Sequence, residues 1–191
     1  MEKKAAGGGK SHGQLLDALR FAVCYPGSRQ LMLRRTMPEL ERSLVPAALR
    51  LYPQCIAKYK VSEHRWDFAN GSALEFGYCD AESDVYQYQG QEYDVIGMEE
   101  ATHFTEEQMQ FLTTCNRTAK PGFRPRMYYT CNPGGRGHGY IKRLFIDRQF
   151  EPDETPEEYR FIQALATDNK ALVAQQPDYI KQLQALPPKL R

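Results

Sequence analysis

No stretch of this 191-residue sequence is long and apolar enough to cross a bilayer, and Met1-Glu2-Lys3-Lys4 runs into glycines rather than the apolar core of a signal peptide. Membrane insertion and secretion are therefore disfavoured. Strong charge of either sign is also lacking, because 25 Lys and Arg oppose 24 Asp and Glu to leave a formal net charge of +1. No overall field draws the chain to nucleic acid, so any such contact has to be local. The five cysteines, Cys24, Cys55, Cys79, Cys115 and Cys131, form no C-x-x-C pair. That argues for reduced thiols of a cytosolic protein and against a zinc or disulfide framework. His12, His64, His103 and His138 never fall at metal-ligand spacing, which disfavours a histidine-held metal. Internal repeats and low-complexity tracts are missing as well. What remains is ordinary in apolar content and rich in aromatics, as one ordered domain over residues 1–191 requires.

Helical and strand periods alternate along the chain. Leu15, Leu16, Leu19, Ala22 and Val23 mark one face of a helix over residues 13–23, ended by Pro26-Gly27. Residues 30–33 read as a short buried strand, and Leu40, Leu44, Val45, Ala48 and Leu49 as a second amphipathic helix. Segments 61–68 and 72–78 flank Asn70-Gly71 as the arms of a β-hairpin. A polar loop over 80–92 then leads to a buried strand at 93–98, a helix at 105–115 and a strand at 126–131. Residues 140–147 read as helical, 151–158 as an acidic surface connection, 159–165 as a last strand and 177–186 as a terminal helix. The pattern is α/β with mainly parallel pairing.

The chemistry begins at Gly7, Gly8, Gly9, Lys10 and Ser11, immediately before the first helix. Glycines let the backbone turn its N–H groups around a phosphate, and the helix N-terminus adds favourable partial charge. In such a cradle Lys10 would reach the β- and γ-phosphates and the Ser11 hydroxyl would be a magnesium ligand. A strict Walker A motif also has a glycine six positions before the lysine, where this chain has Lys4. The competing reading is a flexible glycine-rich tail that happens to end in Lys-Ser.

A second site stands at the end of the apolar run Tyr93-Asp94-Val95-Ile96-Gly97-Met98, which is followed by Glu99-Glu100. Two acids at the C-terminal end of a strand divide the work in P-loop ATPases. Glu99 is expected to hold magnesium, through a water, and Glu100 to orient or activate the water that attacks the γ-phosphate. Asp94 lies at the opposite end of that strand, too far away to compete. An acidic first turn of the next helix is the alternative. The third element is Thr130-Cys131-Asn132-Pro133-Gly134-Gly135, where a strand runs into a polar turn. Asn132, with Thr130 beside it, is placed to touch the γ-phosphate or its attacking water, unless the turn is only a turn.

The succession AAGGGKSHG, LMLRRTMPEL, YQGQEYDVIGMEEATHFTEEQ, PRMYYTCNPGGRGHGYIKRLF and ATDNKAL resembles the ATPase domain of tailed-phage terminase large subunits, in order and over nearly the whole chain. The resemblance implies a three-layer α/β P-loop NTPase of the ASCE or RecA-like kind, with a mainly parallel central sheet and an inserted β-hairpin. It implies ATP and Mg2+ as cofactors and hydrolysis coupled to translocation of viral DNA into a procapsid. The implied partners are double-stranded viral DNA, the portal protein, the terminase small subunit and further copies in a ring. The implied place is the host bacterial cytoplasm, transiently at the portal. By the family pattern Gly7, Gly8, Gly9, Lys10 and Ser11 bind nucleotide, Ser11 and Glu99 serve the metal, Glu100 is catalytic, and Thr130 with Asn132 belongs to the coupling motif.

The departures carry their own expectations. Glu99 replaces the Asp common at the Walker B position, and a longer acid can still serve magnesium. Ala5, Ala6 and Gln89 stand where many members place an arginine, so the arginine that would stabilise transition-state charge is unassigned among Arg34, Arg35, Arg117 and Arg136, each of which also reads as a surface salt-bridge residue. The run from Arg136 to Arg143 suits a DNA backbone as well as a solvated helix face. Residues 1–6 are too few and too charged for the central strand that normally precedes a phosphate loop. The chain thus reads as truncated at both ends, with its first strand missing and weak or absent isolated ATPase activity. No acid cluster after Asp168 supplies a two-metal nuclease, so DNA cleavage is not expected. The alternatives are a catalytically inactive terminase remnant and another P-loop NTPase; a helicase would need a second RecA-like domain.

Overall fold

Two strands hold the centre of the molecule because their side chains are buried on both faces. β1 (Arg29–Arg34) and β5 (Val95–Glu99) are covered along nearly their whole length, the pattern of parallel strands enclosed by helices. Among the described residues they lie side by side in a six-stranded sheet, followed on one side by β4 (Ala73–Tyr78), β3 (Arg65–Phe68) and β2 (Ala57–Lys60) and on the other by β6 (Arg126–Thr130). This is the architecture of a computed structural model that describes residues 8–185. β4, β1, β5 and β6 run parallel, while β2 and β3 extend the sheet antiparallel beyond β4. The expected α/β class, mainly parallel sheet and added hairpin are all present.

The period of two along β1 sends Met32 to one face and Leu31 and Leu33 to the other. Met32 joins Trp66, Leu74 and Phe76 beneath α1 (Lys10–Cys24), α2 (Met37–Arg42) and α3 (Leu44–Leu51). Leu31 and Leu33 join Ile96 and Met98 beneath α4 (Glu106–Thr113) and a 3₁₀ segment, Glu82–Tyr88. α4 starts on a capping box between Thr105 and Gln108. The hairpin turn also serves α1: Asn70 Nδ2 donates to Ala22 O at 2.8 Å, tying off the end of the helix. Gly71, at φ 83, supplies the left-handed residue that the turn needs.

Several expectations are corrected. The single helix through Leu40 and Leu49 is two helices broken at Ser43, whose φ is −120 and ψ is −70. Pro46 explains the break, since it has no N–H for the carbonyl of Arg42 and its ring would strike that group. The first hairpin arm begins at Arg65, because Val61–Glu63 is a 3₁₀ turn closed by His64 at φ 47; β2 before it was not anticipated. The polar loop contains the 3₁₀ segment above. The helix expected at 140–147 is α5 (His138–Ile141) continued by a π-helical turn, Lys142–Asp147.

Residues 159–165 form no strand and pair with none among the described residues, and Phe161 and Ile162 stand 53% and 79% exposed. Alternating apolar residues offer a face for a sheet; they do not supply the neighbouring strand. α6 (Lys170–Gln175) was not anticipated, and α7 (Tyr179–Ala185) occupies most of the expected terminal helix. Leu186 and the question of a strand over residues 1–6 lie outside the described residues.

Candidate active site

All four parallel strands end on one edge of the sheet, at Arg34, Tyr78, Glu99 and Thr130. The crevice outside the carboxyl ends of such strands is where ligands gather in open α/β sheets. α1 presents its N-terminus there. Gly9 precedes the helix at φ 73 and ψ 11, and among the described residues its side-chain cap is missing, as suits a helix N-terminus that receives an anion. Gly8 leads into it and Ser11 is exposed on the first turn; Gly7, the other glycine of the expected cradle, lies outside the described residues.

Lys10, Asn132 and Glu100 form a connected row. Lys10 Nζ donates to Asn132 Oδ1 at 3.2 Å, and Asn132 Nδ2 donates to the Glu100 carboxylate at 3.0 and 3.2 Å. Residues 122 and 32 positions apart are thereby brought to one point. Cys131 feels both charges: burial pushes its thiol up, Glu100 adds to the rise and Lys10 opposes it. Thr130 closes β6 as the register neighbour of Glu99.

The two adjacent acids part company through the backbone. Glu99 completes β5 and is 2% exposed, with its Oε2 accepting from Arg34 Nη1 at 2.5 Å. Glu100 turns out of the strand at φ 52 and ψ 49, a left-handed conformation that costs a non-glycine residue about 1–2 kcal/mol. That turn aims its carboxylate at Asn132 instead of along the sheet.

A second connection joins the loops after β5 and β6. Thr102, 2% exposed, donates its hydroxyl to Asn132 O at 3.0 Å, and Gly137 N donates to Thr102 O at 3.0 Å. Gly135, at φ 102, packs so close that a Cβ there would stand 2.3 Å from Thr102 O. The acid-bearing loop and the asparagine-bearing loop are therefore one unit. Thr102 was missed from the sequence; the closely spaced glycines after Asn132-Pro133 were the only available signal.

The arginines divide, Arg117 making the expected surface ion pair and Arg34 a buried one. Arg34 pairs with buried Glu99 rather than with solvent-exposed acid alone. Arg35 reaches Asp80 at 3.5 Å and His103 O at 3.3 Å, and Arg117 reaches Glu92 at 3.3 Å. Arg136 is exposed between Gly135 and Gly137 and makes no ion pair among the described residues. Farther along the basic run, Lys142 is matched by Asp147 at 2.6 Å and Arg143 by Glu154 at 2.7 and 2.9 Å. Asp94, at the far end of β5, is 3% exposed and accepts from Arg29 N at 2.8 Å, from the Thr118 hydroxyl and from Lys120 Nζ at 3.0 Å.

A magnesium ion takes one or two carboxylates and fills its shell with water and phosphate oxygens. The residues present fit that demand. Ser11 offers an exposed hydroxyl, and Glu99 has one oxygen held by Arg34 while no described residue donates to the other. Among the described residues no group of three His, Cys, Asp or Glu could hold a metal unaided.

Comparison with known proteins agrees with this fold. A family model described as terminase large subunit, T4likevirus-type, N-terminal, matches residues 3–191. The large terminase of a thermophilic bacteriophage superposes with a TM-score of 0.75 at 15% identity, over 98% of this chain and 45% of that one. The same terminase in complex with ATP-γ-S gives 0.67 at 14% identity, over 94% and 42%. The large terminase ATPase domain of Thermus phage P74-26 gives 0.63 at 14% identity, over 98% and 83%. The chain thus spans less than half the length of the first of these terminases. No curated protein sequence matches it.

Proposed function

The chain belongs to the T4-type terminase large subunit family, matching its N-terminal part, and from that membership we propose that it is the ATPase motor part of a DNA-packaging machine. In this reading ATP hydrolysis drives translocation of double-stranded viral DNA into the procapsid. The chain would work in the host cytoplasm as a ring docked on the portal protein, supplied by the terminase small subunit. The observation that carries the reading is the row from Lys10 through Asn132 to Glu100. It joins a phosphate-binding cation to a water-activating carboxylate through a side chain that can feel both.

The residues take distinct roles. Gly8, Gly9 and the first turn of α1 receive the phosphates through N–H groups, and Lys10 exchanges Asn132 for the β- and γ-phosphate oxygens. Ser11 and Glu99 would hold a magnesium ion, which when bound screens the phosphate charge. Glu100 accepts a hydrogen bond from the attacking water and aligns it with the γ-phosphorus. Asn132, released by Lys10, reports the state of the phosphate to the loop that Thr102 and Gly137 clamp. Thr130 anchors that loop to the end of β5.

Lys10 and Glu100 act at different steps, and substitution separates them. Lys10→Ala should weaken nucleotide binding by about tenfold to a hundredfold, the value of a charge-assisted hydrogen bond pair. Glu100→Gln should keep binding yet lose turnover by roughly a thousandfold or more. Titration of nucleotide binding, together with turnover in the assembled packaging complex, checks both. Equal turnover in wild type and Glu100→Gln would sink the assignment.

A further inference from the structure

Burial of Glu99 poses a problem that a metal-holding role leaves open. A carboxylate with 2% exposure needs a fixed partner, or it remains an uncompensated charge in a poor dielectric. Arg34, at the end of the neighbouring strand β1, is that partner, and it is itself held from the other side. Its Nη1 donates to Glu99 Oε2 at 2.5 Å and to Ser43 Oγ at 2.8 Å, and its Nε donates to Glu39 Oε2 at 3.3 Å. Ser43 is fixed in turn, its hydroxyl donating to Glu39 O at 2.7 Å. Ser43 is also the residue at which α2 gives way to α3. The planar fork of a guanidinium can satisfy acceptors in these separate directions; an ammonium on a flexible stem cannot hold them in one plane.

The guanidinium engages one carboxylate oxygen only. Glu99 Oε2 is occupied, and Oε1 has no donor among the described residues. We propose that Arg34 is a positioning residue for the metal–nucleotide complex. It locks the Glu99 carboxylate so that Oε1 faces the water shell of the ion, with the α2–α3 junction as the support that keeps the lock rigid. Arg34 neutralises the acid from the far oxygen without taking the ligand position. Outer partners of this kind are what orient a metal-serving carboxylate. The proposal rests on Glu99 being the metal-serving acid, and it assigns Arg34 to the same subunit's metal site rather than to a surface ion pair.

The test is equilibrium binding of ADP to the 191-residue chain, at nucleotide concentrations up to millimolar, measured once with magnesium and once with EDTA. The ratio of the two affinities isolates what the metal contributes. Arg34→Ala should lower that ratio about tenfold while leaving affinity in EDTA within about twofold. Arg34→Lys keeps the charge and loses the fork, so it should lower the ratio by about threefold. Should Arg34→Ala fail to fold, Arg34→Lys decides by itself. A ratio equal to wild type in every folded Arg34 variant overturns the proposal and leaves the site reading intact. A wild-type chain whose nucleotide affinity does not respond to magnesium overturns the site reading, and the proposal with it.

Discussion

Strand β5 begins beside one buried carboxylate and ends in another: Asp94 is 3% exposed and Glu99 is 2%. Both face a cation, Lys120 at one end and Arg34 at the other. The difference lies in what remains unsatisfied. Asp94 Oδ2 accepts from a backbone N–H and from Lys120, and Oδ1 accepts from Thr118. Both oxygens are used, and the group ties β1, β5 and the loop before β6 together. At the other end one oxygen of Glu99 is left over, and the next acid is thrown out of the strand onto Asn132. A buried acid therefore does not mark a candidate site by itself; spare bonding capacity beside a strained neighbour is what singles out Glu99 and Glu100.

The comparison can be broken at either end. Asp94→Ala should leave Lys120, Thr118 and the Arg29 N–H without their acceptor and cost about 3 kcal/mol. A urea titration would show it, while nucleotide affinity should stay at the wild-type value; a loss of affinity would mean that the two ends are not independent. Next in size is the clamp between the loops. Gly135→Ala would put a methyl 2.3 Å from Thr102 O at φ 102, and should cost about 1–3 kcal/mol as well as slow turnover. Gly134→Ala, at φ 97 with no atom within 4 Å, shares the backbone strain without the clash and is the matched control.

The Asp94 end also carries a pH signature. Burial pushes its carboxyl up, but Thr118, the Arg29 N–H and Lys120 outweigh that and hold it below the ordinary value of an aspartate. A folded value below the unfolded one means that the stabilisation is complete above the unfolded value and is lost as pH falls through the folded one. Asp94→Asn should therefore flatten the acid side of a plot of urea midpoint against pH, and an unchanged slope would speak against the assignment. Smallest of all is Arg117→Ala, which removes a pair with Glu92 in which both side chains are more than half exposed. Its effect on stability should lie within about 0.5 kcal/mol.

Much of the candidate site is legible in the sequence, for a physical reason. Phosphate cradles, paired acids and polar turns sit at strand and helix ends, and those ends are announced by glycine, proline and the stop of an apolar run. Lys10, Glu99, Glu100 and Asn132 could be picked out in that way, and the sheet that unites them follows from alternating periods. What could not be read were pairings across the sheet. Arg34 and Glu99 are 65 positions apart, and only the register of β1 against β5 makes them neighbours. Thr102 has no feature that distinguishes it from any loop threonine until Asn132 is set against it. The segment 159–165 fails in the opposite direction, because apolar residues in it state what a strand could bury and not which strand lies beside it. Pro46 was legible and should have split the helix at Ser43.

The backbone at Glu100 has a consequence for the breadth of sequence this site tolerates. Its left-handed conformation suits glycine or asparagine, whereas the role proposed for it needs a carboxylate. A selection for heat resistance alone would favour those replacements here, relaxing the backbone while removing the proposed catalytic carboxylate. Under the proposed function, position 100 is thus where thermal robustness and turnover pull in opposite directions, and a library screened only for survival on heating should enrich for chains that bind nucleotide without turning it over.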